Sequence, residues 1–123
     1  MNTKPISPKM HGVMDYALAT TLLLGPPALG LNKKATNVYR GMAANLFTYN
    51  ALTDYPAGIK PVMSLDTHRK VDYANLATFA AAFFLKAIKR DKKALAFHAG
   101  VTALAVGNVL LTDWDALPGL DEL

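Results

Sequence analysis

The chain has 123 residues, a length that predicts one domain. Of these residues 52% are hydrophobic and only 18% are charged, so the chain is more apolar than a typical soluble domain, in which roughly 25% of residues are charged. It contains no cysteine, which excludes disulfides, thiolate metal sites and thiol catalysis. The net charge is +4, and the basic residues lie in short loops beside apolar segments rather than along one basic face, so no nucleic-acid partner is expected.

Four apolar segments follow one another along the chain, over about residues 11–31, 36–53, 72–88 and 94–114. A membrane-spanning helix needs about 20 residues, and the segments are close to that length. Between Tyr73 and Leu85 there is no charged residue. Because a helix that is apolar all round is buried in protein or in lipid, the sequence predicts an all-α fold, a four-transmembrane-helix bundle. The stretch Gly25-Pro26-Pro27-Ala28-Leu29-Gly30 is predicted to end the first helix, because proline removes a hydrogen-bond donor and glycine takes the turn.

A tandem repeat is the strongest pattern in the sequence. The motif Ser7-x3-His11-x3-Asp15-Tyr16 recurs 57 residues later as Ser64-x3-His68-x3-Asp72-Tyr73, and Leu52-Thr53-Asp54-Tyr55 recurs 59 residues later as Leu111-Thr112-Asp113-Trp114. The pattern predicts a single membrane domain over residues 1–123, formed by two-helix repeat units at 7–55 and 64–114. Both units enter the membrane in the same direction, so the pseudo-two-fold axis is expected along the membrane normal.

The distribution of charge predicts an orientation. The loops within the two units carry eight of the thirteen basic residues and one acid, Asp91. The positive-inside rule places these loops in the cytoplasm and both termini outside it. The sequence therefore predicts a multi-pass protein of the bacterial inner (plasma) membrane. Its expected partners are the lipid bilayer and, as candidates, a second copy of the chain or another membrane protein.

The order of these motifs resembles a known family. Ser7-Pro8-x2-His11-Gly12-x2-Asp15-Tyr16, then Gly25-Pro26-Pro27, then Leu52-Thr53-Asp54-Tyr55-Pro56 is similar to the SPW-repeat family of small bacterial membrane proteins. The resemblance covers about residues 5–115. It implies two-helix units, often duplicated, in a membrane. It implies no catalytic residue, because the function of that family is uncharacterised.

Six ionisable residues are predicted to gather at one end of the helices. His11 and Asp15 are four residues apart and share a helix face, and the repeat places a second such pair in the third helix. Two further acids end the second and fourth helices. The predicted polar cluster comprises His11, Asp15, Asp54, His68, Asp72 and Asp113.

Three interpretations of this cluster remain open. In the favoured one, each His–Asp pair forms hydrogen-bonded clasps with Thr53 or Thr112 that tie the helix ends together, and Asp15 or Asp72 accepts a hydrogen bond from a Tyr or Trp of a neighbouring helix. In the second, a divalent metal such as zinc, iron or manganese is held by His11, Asp15, His68 and Asp72. In the third, a proton or ion path runs from His98 to the cluster. The sequence assigns no catalytic residue and favours a non-enzymatic structural or interaction protein without a cofactor. The alternative is a metal-binding or proton- or ion-conducting protein.

Overall fold

The computed structural model describes residues 4–115, and in that range it contains five helices and no strand longer than an isolated bridge. The helices are α1 (Pro8–Leu29), α2 (Lys33–Ala51), α3 (Leu65–Ala82), α4 (Lys86–Lys89) and α5 (Lys92–Leu110). The long helices alternate in direction. The loops at 30–32 and 83–91 therefore share one end of the molecule, and the loop at 52–64 lies at the other.

Side-chain caps fix the starts of the two equivalent helices α1 and α3. The hydroxyl of Ser7 accepts a hydrogen bond from the Met10 N–H, and the hydroxyl of Ser64 accepts one from the Thr67 N–H, both at 3.1 Å. Such a cap satisfies a backbone donor that has no partner inside the helix. The serines are therefore N-caps, which sets where the first turn of each His-x3-Asp helix begins.

α1 ends at the last residue of the terminator predicted over 25–30. The helix continues through Pro26 and Pro27 and stops at Gly30, whose φ is 70° and whose N–H donates to the carbonyls of both prolines. Each proline lacks the N–H that would donate to the carbonyl four residues earlier, so the helix forgoes two hydrogen bonds just before it ends. A left-handed residue at the end of a helix is usually glycine, so Gly30 ends the helix.

The predicted four-transmembrane-helix bundle is wrong. Among the described residues, α5 alone is long and apolar enough to span a membrane, with a mean hydropathy of 1.3, and 33% of that stretch is buried within the protein. A single helix of this kind is weak evidence for a span, because the core helix of another fold passes the same test. The predicted multi-pass placement in a bacterial inner membrane, with the termini outside the cytoplasm, is wrong for the same reason.

The third helix shows why the spans were overestimated. The apolar segment was expected at about 72–88, but α3 begins at Leu65 and ends at Ala82. It therefore includes four charged residues, Asp66, Arg69, Lys70 and Asp72. In the same way α2 includes Lys33, Lys34 and Arg40. Charged side chains are the most costly residues to place in a bilayer, so both helices fall below the hydropathy of a span.

The apolar core lies between the long helices. α1 packs along α2 and α5, and α3 packs along α5. Buried side chains come from every helix, including Leu22, Tyr39, Phe79, Ile88 and Val101. Burying a side chain the size of Leu or Phe stabilises the fold by about 1.5–3 kcal/mol. These residues fill the half of the interior nearer the 30–32 and 83–91 loops, and the other half holds a polar group.

Candidate metal centre

Two histidines and two aspartates meet in the polar half of the interior. The Nε2 atom of His11 lies 3.1 Å from Oδ2 of Asp15 and 2.8 Å from Oδ2 of Asp72. The Nε2 atom of His68 lies 3.3 Å from each of the same two oxygens. All four side chains are buried, and the four ligand atoms lie within 4.8 Å of one another. Each histidine thus contacts one carboxylate of its own helix and one of the equivalent helix.

Backbone pairing brings the two repeat units together around this group. Ile6 precedes α1 and pairs with Thr112 after α5, and Met63 precedes α3 and pairs with Thr53 after α2. The start of each His-x3-Asp helix is therefore held against the end of a helix from the other unit. This pairing places one threonine beside each histidine.

Each histidine is oriented by that threonine. The Nδ1 of His11 lies 2.7 Å from the hydroxyl oxygen of Thr112, and the Nδ1 of His68 lies 2.7 Å from that of Thr53. Each hydroxyl donates its single hydrogen to the backbone carbonyl four residues earlier. The hydroxyl can therefore only accept from the imidazole, so Nδ1 carries the hydrogen in both histidines. The Nε2 atoms consequently face the carboxylates.

This tautomer limits what can occupy the space between the four groups. If both Nε2 atoms carry a proton, two imidazolium ions balance two carboxylates. If neither does, two lone pairs and two carboxylates face one another, and a divalent cation restores neutrality. Protons and a divalent metal ion are thus the two means by which this buried group reaches zero net charge.

The carboxylates have partners of their own. The Oδ1 of Asp15 accepts a hydrogen bond from the amide of Asn108 at 2.8 Å, and the Oδ1 of Asp72 accepts one from the hydroxyl of Tyr49 at 2.6 Å. All four side chains are therefore held from outside by a hydrogen-bond partner. In metal sites, outer partners of this kind fix the orientation of the ligands, and their loss weakens metal affinity.

Aromatic rings close the end of the site. The ring of Trp114 lies 4.6 Å from that of His11, and the ring of Tyr55 lies 5.4 Å from that of His68. Trp114 and Tyr55 occupy equivalent positions of the two repeat units. Tyr55 approaches closely because α1 has a glycine there: a Cβ added to Gly12 would lie 2.7 Å from the Tyr55 hydroxyl oxygen and 2.3 Å from Cβ of Ala57.

We expect Gly12→Ala to destabilise the protein by about 1–3 kcal/mol, because the added methyl forces the 55–57 turn away from α1. The free energy of unfolding, from urea denaturation, measures this. Gly41→Ala is the matched control, since a Cβ at that helical position meets nothing within 4 Å. Equal stability of the two variants would contradict the close packing of the turn on α1.

The two histidines and Asp72 have shifted pKa values. Burial lowers the pKa of His11, but its hydrogen bonds to Asp15 and Asp72 and their charges outweigh burial and raise the pKa to about 9. The pKa of His68 is raised by the same balance. Burial raises the pKa of Asp72, but the two histidines outweigh it and lower the pKa to about 2. Without a metal, His11 and Asp72 are therefore an ion pair at neutral pH.

These shifts predict how the stability of the metal-free protein depends on pH. The pKa of His11 is higher in the folded chain, so its contribution is complete below about pH 6.5 and is lost as the pH rises through about 9. The pKa of Asp72 is lower in the folded chain, so its contribution is complete above about pH 4 and is lost as the pH falls through about 2. Urea unfolding with a chelator present should give maximal stability between about pH 4 and 6.5. Stability that stays constant from pH 6.5 to 9 would contradict the ion pairing.

The other predicted residues lie outside this group. Asp54 is exposed and Asp113 is partly exposed, and their backbone N–H groups donate to the carbonyls of Met63 and Ile6. His98 is buried on α5, where it lies about 15 Å along the helix from Asn108. It pairs with the hydroxyl of Tyr39 and the carbonyl of Phe79. Of the six residues of the predicted polar cluster, the structure brings together His11, Asp15, His68 and Asp72.

The sequence predicted a Tyr or Trp donor to Asp15 or Asp72, and the Tyr49 hydroxyl is that donor for Asp72, but it did not assign Asn108 to Asp15. A signal was present, because Tyr49 and Asn108 are 59 residues apart, the offset that relates Thr53 to Thr112. A tyrosine and an asparagine share no side-chain shape, but each supplies one hydrogen-bond donor to an aspartate. Comparing the repeat units by donor and acceptor chemistry would have found this pair.

Comparison with protein-family models, with curated proteins and with solved structures finds no match to this chain. The resemblance to the SPW-repeat family therefore stays a prediction, and it contributes no residue to the site. A function for this protein has to be argued from the geometry of the buried group.

Proposed function

We propose that this chain is a metal-binding protein in which His11, Asp15, His68 and Asp72 hold one divalent transition-metal ion, with zinc as the best match. The observation that carries the proposal is the convergence of two imidazole nitrogens and two carboxylate oxygens, all buried, within 4.8 Å of one another. The metal would join α1 of the first repeat unit to α3 of the second.

The distances suit a small tetrahedral ion. With ligand bonds of about 2.0–2.1 Å, the ligand atoms of a tetrahedral zinc site lie about 3.3–3.4 Å apart. The four nitrogen–oxygen distances here are 2.8, 3.1, 3.3 and 3.3 Å. The remaining two distances, between the two nitrogens and between the two oxygens, are at most 4.8 Å. Small shifts of the four side chains would bring all six distances to the tetrahedral value and open the space for the ion. The other option, a buried group held by ion pairs alone, differs from this by only those small shifts.

The donor set favours zinc over calcium, magnesium and copper(II). Calcium takes six to eight oxygen ligands, and magnesium keeps several waters, neither of which a buried pair of imidazoles provides. Copper(II) prefers square-planar geometry. Four protein ligands with no open position are typical of structural rather than catalytic zinc sites. The metal site therefore supports a non-enzymatic protein, in which the ion fastens the two halves together.

Energetics favour a metal over polar clasps alone. A buried ion pair roughly offsets its own desolvation, so four ionisable groups held only by one another contribute little net stability. A structural zinc ion contributes about 10–16 kcal/mol in small zinc-finger peptides. The much larger contribution of a metal supplies a reason for keeping four ionisable side chains in the interior.

A cleft between α2 and α3 offers the ion a route. It has a volume of about 30 Å³, which is enough to hold water, and Asp15, Tyr49 and Asp72 line it. Its outer part is lined by Asn45, which is exposed, and by Asn75. The amide of Asn45 donates to the side-chain oxygen of Asn75 at 3.1 Å, so an entering ion would pass this pair to reach both carboxylates. A buried metal site needs such an entry path.

The outer shell provides a specific test of the proposal. Thr112→Val removes the acceptor that holds Nδ1–H of His11 while keeping the size of the side chain. We expect the zinc affinity to fall by about 10–100-fold, the usual effect of losing an outer-shell partner. The measurement is a zinc titration in competition with a chromophoric chelator.

Thr102→Val is the matched control for this titration. Thr102 lies on the same helix, and its hydroxyl oxygen is buried without a hydrogen-bond partner among the described residues. Its replacement should leave the zinc affinity unchanged. A wild-type chain that does not compete for zinc would overturn the proposed function. Equal losses in the two variants would contradict the role of Thr112.

A further inference from the structure

One end of the molecule, remote from the buried group of His11, Asp15, His68 and Asp72, carries seven exposed cations. We name this surface the basic end; its residues are Lys33, Lys34, Lys86, Lys89, Arg90, Lys92 and Lys93. None of them makes an ion pair with an acid in the described part of the chain. The acid among them, Asp91, accepts hydrogen bonds from Asn32 and from the backbone N–H of Lys93. The positive charge of this surface is therefore not neutralised by neighbouring carboxylates.

Hydrogen bonds from Asn32 join the two stretches of chain that form the basic end. Its amide donates to the carbonyl of Ala87 at 2.7 Å and to Oδ2 of Asp91 at 2.9 Å. The start of α2 is thereby fixed against α4 and the start of α5. The N-termini of α2 and α5 also carry the positive ends of the helix dipoles. The charges consequently form one surface rather than two separate loops.

Large apolar side chains project beside these cations. Phe84 is 78% exposed, Leu24 59%, Leu29 52% and Leu85 44%. All four lie in the last turns of α1 or in the loop before α4. An exposed apolar group rimmed by charge is typical of an interaction site.

We infer that the basic end docks on the surface of an anionic phospholipid bilayer. Lipid phosphates complement the seven cations, and the acyl layer beneath them complements the projecting Phe84 and leucines. A nucleic acid offers the same phosphates but no continuous apolar layer for these side chains. The contact is peripheral and requires no membrane-spanning helix, and it is independent of metal binding.

Co-sedimentation with vesicles tests this inference. Vesicles of phosphatidylcholine alone are compared with vesicles containing one-third phosphatidylglycerol. Near an anionic surface, each basic residue contributes about fivefold to binding. The combined variant Lys86→Gln, Lys89→Gln, Lys92→Gln, Lys93→Gln should therefore bind the anionic vesicles several hundredfold more weakly than the wild type. The wild type should bind phosphatidylcholine vesicles weakly.

The opposite end of the molecule provides the matched control for charge. The variant Lys4→Gln, Lys9→Gln, Lys60→Gln, Lys70→Gln removes the same number of positive charges at that end. Its binding to anionic vesicles should equal that of the wild type. Equal loss in the two variants would mean that net charge alone acts, and it would overturn the inference. So would equal binding of the wild type to both vesicle types, or tighter binding to a short DNA duplex or single-stranded RNA than to anionic vesicles.

A second pair of variants tests the apolar contribution without changing any charge. Phe84→Ser with Leu29→Ser should weaken binding to anionic vesicles by about 10–100-fold. Ile59→Ser with Val62→Ser is the control, since these side chains are 82% and 62% exposed at the other end. Unaltered binding of the Phe84 and Leu29 variant, with circular dichroism showing both variants folded, would overturn the inference.

Discussion

Asp15→Ala is expected to lower the zinc affinity by more than about 100-fold, beyond the usual range for outer-shell changes, because it removes a ligand rather than a support. Asp15 lies within hydrogen-bonding distance of the Nε2 atoms of both histidines. Its loss leaves three ligands and, with a bound ion, one uncompensated positive charge in a buried site. The measurement is competitive titration with zinc, repeated with cobalt(II), whose visible spectrum reports a four-coordinate site.

The control for this variant is Asp54→Ala. Asp54 lies three residues after α2 and was predicted to join the same cluster, but it is exposed and lies outside the buried group. Its replacement should leave both the zinc affinity and the cobalt spectrum unchanged. A comparable loss in Asp54→Ala, or retention of wild-type affinity in Asp15→Ala, would contradict the proposed ligand set.

In the metal-free protein, His11→Leu is expected to lower the free energy of unfolding by about 3–5 kcal/mol, the usual cost of breaking a buried ion pair by removing one partner. The variant leaves two buried carboxylates facing one imidazolium. The double variant His11→Leu, Asp72→Leu leaves one of each charge, His68 and Asp15, 3.3 Å apart. It should therefore be more stable than the single variant, although it changes more residues.

The free energies of unfolding of the single and double variants are compared by urea unfolding at about pH 6, with a chelator present. The strong coupling between contacting residues is what a double-mutant cycle reports. A double variant whose loss equals the sum of the two single losses would show that His11 and Asp72 act independently. That outcome would contradict the charge balance on which the metal proposal depends.

The sequence was most informative where a pattern repeats. The spacing of His11 and Asp15, and its recurrence in the third helix, predicted two helical pairs on equivalent faces, and the structure brings these residues together. It could not show that Ile6 pairs with Thr112 across the repeat units. That backbone pairing sets which threonine lies beside which histidine, and it depends on contacts between residues about one hundred positions apart.

Membrane spans were predicted from apolar stretches taken without their flanks. For α3, the stretch after Asp72 is free of charge, but the cap at Ser64 starts the helix seven residues earlier and brings Asp66, Arg69 and Lys70 into it. Helix boundaries depend on local capping, which the hydropathy of a window does not record. The error in fold class therefore came from the boundary and not from the type of secondary structure.

The uncertainty of helix boundaries also explains why Asp54 and Asp113 were wrongly predicted to join the cluster. Asp54 and Asp113 follow helices whose last turns end at Ala51 and Leu110, so each begins a turn rather than continuing a helix face. Their positions beyond the helix ends direct them away from the buried group. The threonines one residue earlier are the ones that reach the histidines.

The most direct measurement is the metal content of the purified chain after saturation with zinc and removal of unbound ion, with the wild type beside the double variant His11→Ala, His68→Ala. We expect close to one zinc per wild-type chain and none in the variant. A wild-type chain that retains no zinc, or a variant that retains as much as the wild type, would contradict the proposed metal site.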